Sequence, residues 1–421
     1  MKPLRILIAG QSYSDGNGQG CFTLRLAENL VKQGHQVKML MPSDRLKSYS
    51  VNINGVQVEG IAAIHISILH PAIYITPLPS PYVKSIFKDF VPDMVHIQDH
   101  YFLCQTVAQE ARRRHTPLIG TNHFLPENLF PFLIEFPQFC DLSGRILWKM
   151  MLSVFNQVDA ATTPSHIAAE ILRRQDIRVP VHVISNGVDT ERFTSDPKVD
   201  RQSIRRAYGL APDKTIFLYV GRLDGEKRVD ILLQAVSYLP QSNFQLAIAG
   251  DGLQAQSLRH QVNHLGLEDR VTFLGYVPAK DLPALYMSAD IFVMPSSAEL
   301  QSIATMEALA CGKPVLAANA RALPELVIHG VNGYLFESGN AIGAAHWMNK
   351  FLETPEQWVK MGQAGVARSQ PHTLINTIKS YEEYYRIVIE KRREMHKSFA
   401  PKGMKILDTY RPKKISVMDE K

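Results

Sequence analysis

The sequence has few cysteines and no long apolar segment. Only 4 of its 421 residues are cysteine, and no two of them have the Cys-x-x-Cys spacing of zinc or redox sites. No stretch reaches the ~18 consecutive apolar residues of a membrane-spanning helix. The short apolar run near the N-terminus lacks the longer core and the cleavage site of a signal peptide. We therefore expect a cytoplasmic protein with reduced thiols.

Low-complexity tracts are also missing. With 45% hydrophobic and 20% charged residues, the composition is typical of a globular protein and excludes collagen-like, disordered and disulfide-scaffold classes. At ~100–200 residues per domain, the length predicts two or three domains.

The net charge of +6 is concentrated at the C-terminus. Residues 391–421 carry ten basic and four acidic side chains, whereas residues 1–390 carry equal numbers of each. A neutral body with a basic tail is not typical of a nucleic-acid-binding domain, so we expect no nucleic-acid partner. The tail has two interpretations, which are contact with an anionic membrane surface and a solvated, partly disordered terminus.

Short apolar runs alternate with amphipathic helical patterns in two series. The first extends from Ile6–Ala9 to His182–Ile184 and the second from Ile216–Val220 to Pro314–Ala317, with a polar break at Asp196–Pro197. This alternation predicts an α/β protein with parallel sheets and right-handed crossovers. We expect two doubly wound domains facing each other across a cleft, with ligands at the carboxyl ends of the strands.

The domain boundaries follow from the same pattern. We predict an N-terminal domain at residues 1–195 and a C-terminal domain at 196–372. A long helical pattern at about 373–394 is expected to cross back onto the first domain, and a basic tail follows at 395–421.

A glycine-rich loop, residues 10–20, follows the first predicted strand and opens a helix. Backbone N–H groups in such a turn can approach a phosphate. The spacing is not a regular Gly-x-Gly-x-x-Gly, and no acidic residue follows at the end of a second strand, so a dehydrogenase is disfavoured. The alternative is a turn that binds no ligand.

Two cations stand at the end of the first strand of the second series. Arg222 and Lys227 come directly after Ile216–Val220 and just before a helix. A pair of cations at the mouth of a cleft suits a diphosphate, whose charge grows as it departs. The alternative is a solvated run of charges.

Two carboxylates follow a later strand of that series. Glu299 lies in the loop after Ile291–Met294, and Glu307 lies on the following helix, for which Ser302 is a suitable N-cap. They could accept hydrogen bonds from vicinal hydroxyls, one pair on a sugar and one on a ribose. Taken singly, each could also be an ordinary acid at a helix start.

Together these segments resemble a known enzyme family. The residues Glu299 and Glu307 with the following Ala-Cys-Gly-Lys-Pro-Val, and the segment from Gly221 to Lys227, are similar to motifs of retaining, nucleotide-sugar-dependent glycosyltransferases of family 4 (group 1). The supporting segments are Asn186-Gly187-Val188-Asp189, Gly250-Asp251-Gly252 and Gly330-Val331-Asn332-Gly333-Tyr334. The resemblance covers about residues 4–370 and implies the GT-B fold, in which two Rossmann-like domains face each other. It also implies that the domain at 1–195 is on the acceptor side and that the domain at 196–372 binds the nucleotide sugar.

The resemblance also implies roles for single residues. Arg222 and Lys227 would hold the donor diphosphate, Glu307 the ribose hydroxyls, and Glu299 the transferred hexose. The backbone amides of Leu300, Gln301 and Ser302 would lie near the sugar.

On the first domain, Gly18 aligns with the second glycine of the family's Gly-Gly loop, and His123 matches a histidine near the reacting carbon. The catalytic set is thus His123, Glu299, Arg222 and Lys227. No metal or other cofactor is expected, because no Asp-x-Asp motif is placed in the cleft. His96 and His100 bracket a strand end and lack the glutamate of His-Glu-x-x-His, so we expect no metal site there.

The acceptor is less defined than the donor. The residues after Glu299 are similar to the branch that glycosylates lipids such as diacylglycerol, which implies a protein that is peripheral at the inner face of a membrane. The aromatic-rich segment Phe124–Phe136 and the helical pattern Ile146–Phe155 could receive an acyl chain or simply form core. The alternatives are a glycosyltransferase with a soluble acceptor, a GT-B-fold sugar-nucleotide epimerase and a non-catalytic sensor.

Overall fold

The computed structural model describes residues 2–11, 18–45, 47–65, 74–123, 125–126, 140–196, 198–240 and 243–399. These residues form two main sheets and one short strand pair. Each main sheet is flanked by helices, which is the layered arrangement expected from alternating strands and helices.

The first sheet is built from the N-terminal part of the chain. Its strands are β1 Arg5–Ala9, β2 Gln36–Pro42, β3 Tyr49–Ile53, β4 Val56–Ile61, β7 Met94–Ile97, β8 Leu118–Thr121, β9 Ala160–Thr163 and β10 Val181–Val183. They run in the order β10-β9-β8-β7-β1-β2-β4-β3. The separate antiparallel pair is β5 Ile64–His65 and β6 Tyr74–Ile75.

One edge of this sheet differs from the prediction. All neighbouring strands are parallel except β3 and β4, which form an antiparallel hairpin, so the prediction of purely parallel sheets is wrong there. Asn54 and Gly55 connect the two strands, and both have positive φ, at 50° and 89°. A two-residue Asn-Gly loop with this conformation matches the twist of a hairpin.

Helices cover the first sheet. They are α1 Gly18–Lys32, α2 Ser80–Phe90, α3 Phe102–Arg113, α4 Cys140–Phe155 and α5 His166–Arg173. In α1, the residues Phe22, Leu26 and Leu30 recur every fourth position and are buried. This spacing places them on one face of the helix, which packs against the sheet.

The second sheet is parallel throughout. Its strands are β11 Thr215–Val220, β12 Phe244–Ala249, β13 Val271–Gly275, β14 Ile291–Met294, β15 Val315–Asn319 and β16 Gly333–Glu337, in the order β13-β12-β11-β14-β15-β16. The helices that follow the first sheet along the chain are α6 Arg201–Ala207, α7 Val229–Tyr238, α8 Ala255–His264, α9 Leu282–Ser288, α10 Ile303–Ala310, α11 Leu323–Leu326, α12 Ala341–Glu353 and α13 Trp358–Ser369. Strands β12 and β14 are buried at every position, as expected of central parallel strands. The predicted fold of two doubly wound domains is confirmed.

The last helix, α14 Leu374–Phe399, returns to the first sheet. Its buried residues Ile378, Tyr381 and Tyr385 belong to one apolar cluster with Ile6 and Ile8 of β1. The helix extends beyond the predicted end near residue 394. The predicted basic tail lies outside the described residues from position 400 onward. No helix among the described residues is both long and apolar enough to span a bilayer.

Candidate active site

The predicted donor residues meet at the carboxyl edge of the second sheet. Strands β11 and β14 are neighbours in that sheet, so the loop carrying Arg222 and Lys227 lies beside the loop carrying Glu299. Backbone N–H of Ser297 donates to the carbonyl of Glu226 at 3.0 Å, which fixes one loop to the other. The crevice at this edge is where open α/β sheets bind ligands.

Lys227 and Glu299 form an ion pair between these loops. The Lys227 ammonium donates to Glu299 Oε1 at 2.6 Å, and both side chains are largely buried. Burial by itself would raise the pKa of Glu299, but the Lys227 charge and hydrogen bond outweigh it and lower that pKa. Glu299 is therefore an ionised carboxylate, and the pair uses one of the three N–H donors of the ammonium.

Arg222 is held by two buried acids. Its guanidinium donates to Asp224 Oδ2 and, at 2.8 Å, to Glu226 Oε1. Asp224 and Glu226 are 5% and 6% exposed, whereas the Arg222 side chain is 38% exposed. Sequence reasoning missed this role of Asp224 and Glu226, because acids beside cations in a loop look like a solvated charge run. The contacts orient the cation before any ligand arrives, which is the preorganisation that electrostatic catalysis requires.

Glu307 lies deeper, on α10. Its Oε2 accepts a hydrogen bond from the Tyr286 hydroxyl at 3.1 Å. Burial raises the pKa of Glu307 to about 7, against the opposing effect of the Arg25 charge. Arg25 belongs to α1, on the first sheet, and its Nη1 lies 3.8 Å from Glu307 Oε1. This pair joins the two halves of the molecule, and neither Arg25 nor Tyr286 was predicted.

The segment Leu300–Ser302 is buried between the halves. Ser302 is the N-cap of α10, as predicted, and its hydroxyl accepts from the backbone N–H of Thr305. The Gln301 side chain accepts from the backbone N–H of Asn186 at 2.8 Å. Leu300 packs in an apolar cluster with Leu125. The side chain of Gln301 thus supports the connection between the halves, which sequence reasoning had not foreseen.

The two site residues of the first half lie at its strand ends. His123 follows β8, and its Nε2 lies 3.0 Å from Gln98 Oε1. Burial lowers the pKa of His123 to about 3, so its imidazole is neutral. Gly18 begins α1, and a Cβ added there would come 4.0 Å from Ile303 on α10. Gly18 therefore faces the same helix that carries Glu307. The preceding loop residues 12–17, including Asn17, lie outside the described residues.

Two glycines let the segment 250–252 approach the backbone of the loop that carries Arg222. A Cβ on Gly250 would lie 1.8 Å from the carbonyl oxygen of Gly221, and one on Gly252 would lie 2.6 Å from the nitrogen of Leu223. Only glycine fits at such distances. The Gly250-Asp251-Gly252 segment thereby supports the loop that presents Arg222.

The remaining candidates lie away from this crevice or outside the description. His96 is fully buried, and its ring nitrogens contact Tyr385 and Thr121. Within the part of the chain that the structure describes, no group of three or more His, Cys, Asp or Glu side chains could hold a metal ion. Most of the aromatic segment Phe124–Phe136 is outside the described residues. In α4, Phe155 is buried core, whereas Ile146 is exposed.

Two family models match the chain. The model for glycosyl transferases group 1 matches residues 200–368, and the model for glycosyltransferase family 4 matches residues 16–192. The first model spans every strand of the second sheet, and the other spans the strands of the first sheet apart from β1.

Relatives and solved structures agree with these models. The chain is 27% identical over 341 residues to a GDP-mannose-dependent alpha-mannosyltransferase of Corynebacterium glutamicum, which covers 80% of this chain and 78% of that protein. It is 34% identical over 266 residues to a D-inositol 3-phosphate glycosyltransferase of Mycobacterium sp. (strain KMS), which covers 62% of this chain and 59% of that protein. The crystal structure of Anabaena HepE in complex with UDP-glucose has a TM-score of 0.71 at 22% identity, covering 94% of this chain and 100% of that one.

Proposed function

The chain belongs to the group 1 and family 4 glycosyltransferases of the GT-B fold, and we propose that it transfers a hexose from a nucleoside diphosphate sugar to an acceptor hydroxyl with retention at the anomeric carbon. The observation that carries this proposal is the placement of Arg222 and Lys227, held by buried carboxylates where two neighbouring strands end. The names of a GDP-mannose-dependent relative and of a structural neighbour bound to UDP-glucose support the donor class.

The donor binds along this crevice. The diphosphate lies against Arg222 and Lys227, and the ribose hydroxyls donate to Glu307 in place of its contact with Arg25. Glu299 accepts from hydroxyls of the hexose, with the backbone at Leu300, Gln301 and Ser302 nearby and Gly18 opposite. Glu299 suits this task because its lowered pKa keeps it ionised and able to accept hydrogen bonds.

Bond cleavage places new charge on the leaving diphosphate. The transition state at the anomeric carbon is oxocarbenium-like. Arg222 and Lys227 stabilise the departing oxygens, and because their positions are fixed in advance they need little reorganisation. The acceptor hydroxyl attacks from the face that the diphosphate leaves, and the neutral imidazole of His123 lies beside the reacting carbon. No metal or other cofactor takes part in this scheme.

The acceptor in our proposal is a membrane lipid such as diacylglycerol, and the protein acts at the inner face of a membrane. Three exposed apolar side chains at the carboxyl edge of the first sheet support this choice. Leu78 and Tyr82 lie at the start of α2 and Phe102 begins α3, at 80%, 50% and 57% exposure. The basic C-terminal sequence supplies attraction to anionic lipid.

A labelled-donor panel tests the proposal. The chain is incubated with radiolabelled uridine- and guanosine-diphosphate sugars and with either diacylglycerol vesicles or soluble polyols, and the mixture is then extracted with chloroform. Label in the organic phase supports the lipid acceptor, and label only in water-soluble product refutes it. Release of nucleoside diphosphate only when an acceptor is present excludes an epimerase. Absence of transfer from every donor would overturn the proposed activity.

A further inference from the structure

A continuous row of buried polar side chains lies behind His123. His123 Nε2 is 3.0 Å from Gln98 Oε1, and Gln98 Nε2 is 3.0 Å from His96 Nε2. His96 Nδ1 is in turn 2.8 Å from the Tyr385 hydroxyl. His96, Gln98 and Tyr385 are all fully buried. The row therefore connects the cleft histidine to α14, the helix that returns from the far end of the chain.

The orientation of the Gln98 amide determines where the protons lie. Its NH₂ group faces His96 Nε2, which also lies 2.6 Å from the Thr121 hydroxyl. With both groups donating to the Nε2 lone pair, the His96 proton is on Nδ1 and is donated to the Tyr385 oxygen. The Gln98 carbonyl oxygen faces His123 and accepts, which requires the His123 proton on Nε2. Each hydrogen bond in the row thus fixes the direction of the next.

Burial makes this row one of neutral groups. It lowers the pKa of both His96 and His123 to about 3. The tyrosines of α14 that contact His96 stay protonated, because burial raises the pKa of Tyr381 to about 12 and that of Tyr385 well above its usual value. With every ionisation suppressed, the remaining variable is the tautomer of each imidazole.

We propose that Gln98, His96 and Tyr385 are positioning residues that hold His123 as its Nε2–H tautomer, with Nδ1 as the hydrogen-bond acceptor. The inference rests on the proposed function, since it assigns these residues to the reaction through His123. It makes α14 part of the catalytic apparatus as well as of the fold. Phe22, whose ring centroid lies 5.1 Å from that of His123, limits the tilt of the same imidazole.

Nitrogen NMR on the full chain labelled with ¹⁵N-histidine tests this arrangement, with His123 assigned from the spectrum of His123→Gln. The wild type is expected to show His123 protonated on Nε2. Tyr385→Phe removes the acceptor of the His96 Nδ1–H, so His96 changes tautomer, the Gln98 amide reverses, and His123 becomes protonated on Nδ1. The matched control is Tyr384→Phe, which removes a hydroxyl of the same helix from a ring that stacks on His182; His123 should keep its wild-type tautomer.

Kinetics provide the second readout. Tyr385→Phe should lower kcat by about 10- to 100-fold, as expected for a misplaced group at a reacting centre, while KM for the donor stays within about twofold of wild type because Tyr385 does not touch the donor site. An Nδ1–H proton on His123 in the wild type, or an unchanged tautomer in Tyr385→Phe, would overturn the proposal.

Gln98→Glu tests the row without removing a ring. A carboxylate at this position would accept from both imidazoles and stabilise protonated His123, so the pKa of His123 should rise. The pH profile of kcat should then gain an acid limb that the wild type lacks, and a profile identical to wild type would contradict the inference.

The NMR result does not depend on turnover. A wild type that transfers no sugar would therefore refute the proposed function while leaving the tautomer assignment intact.

Discussion

The ammonium of Lys227 donates to Glu299 Oε1 across 2.6 Å and so connects the loops after two neighbouring strands. Lys227 also determines the charge of its partner. The nearby ammonium keeps the pKa of the buried Glu299 low in spite of the burial that would raise it. A diphosphate that contacts Lys227 therefore binds next to a carboxylate already charged and oriented toward the hexose.

Lys227→Ala should reduce kcat/KM for the sugar donor by about 100-fold or more, because it removes a cation that stabilises the departing diphosphate. Steady-state kinetics over a range of donor concentrations measure this loss. Lys360→Ala on the exposed face of α13 is the matched control. Far-ultraviolet circular dichroism should show both variants folded. Wild-type kinetics in Lys227→Ala would refute its assigned role.

Donor binding should weaken in mildly acidic solution. Burial raises the pKa of Glu307 to about 7, so this residue takes up a proton as the pH falls through that value. Since the carboxylate is the better acceptor for ribose hydroxyls, KM for the donor should rise below about pH 7, by up to about tenfold per pH unit.

Two variants identify the group responsible for this rise of KM at low pH, which is the acid limb of the KM profile. Glu307→Gln cannot ionise and should remove the limb from the KM profile. Arg25→Met removes a charge that lowers the pKa of Glu307, so the limb should move to higher pH. A limb that persists in Glu307→Gln would show that another group titrates.

Gly250→Ala should destabilise the second half of the molecule severely. The added methyl would lie 1.8 Å from the Gly221 carbonyl oxygen, and this position has a φ of 140°. We expect the free energy of unfolding to fall by more than about 3 kcal/mol in urea titrations. Gly266→Ala, also at positive φ but with nothing within 4 Å, should lose only about 1–2 kcal/mol. Equal losses in the two variants would contradict the steric argument.

Removal of residues 400–421 should weaken binding to anionic vesicles. These residues carry six basic and three acidic side chains, and the deletion spares α14. Co-sedimentation with phosphatidylserine-containing vesicles should fall, and the difference between the two proteins should shrink at high salt. Vesicles of neutral lipid are the control. Identical sedimentation of the two proteins would remove the membrane interpretation of the tail.

Much of the fold could be predicted from the sequence because central parallel strands are buried on both faces. Strand β14 was predicted with its observed bounds, Ile291–Met294, since it is a short apolar run between polar segments. The hairpin strand β3 was missed because most of its side chains are exposed and its apolar residues alternate with polar ones, without forming a continuous apolar run. Its Asn54-Gly55 turn was the available signal.

The parts of the site that could be predicted are those in which strand order alone decides which loops lie side by side. Arg222 and Glu299 follow strands that pair in the sheet, so their loops had to meet. The contact of Arg25 with Glu307 could not be predicted, because it depends on how closely α1 approaches α10. Gln98 gave only the weak signal of a polar residue at a strand end, and its partners come from distant parts of the chain.

The central claim is that Arg222 and Lys227 bind the diphosphate of an activated sugar, and a crystal structure of the chain soaked with uridine- and guanosine-diphosphate sugars tests it most directly. Diphosphate oxygens should lie within hydrogen-bonding distance of both cations, and the ribose hydroxyls should contact Glu307 in place of Arg25. A donor bound elsewhere on the protein, or a crevice that stays empty at saturating concentrations of every donor, would contradict the claim.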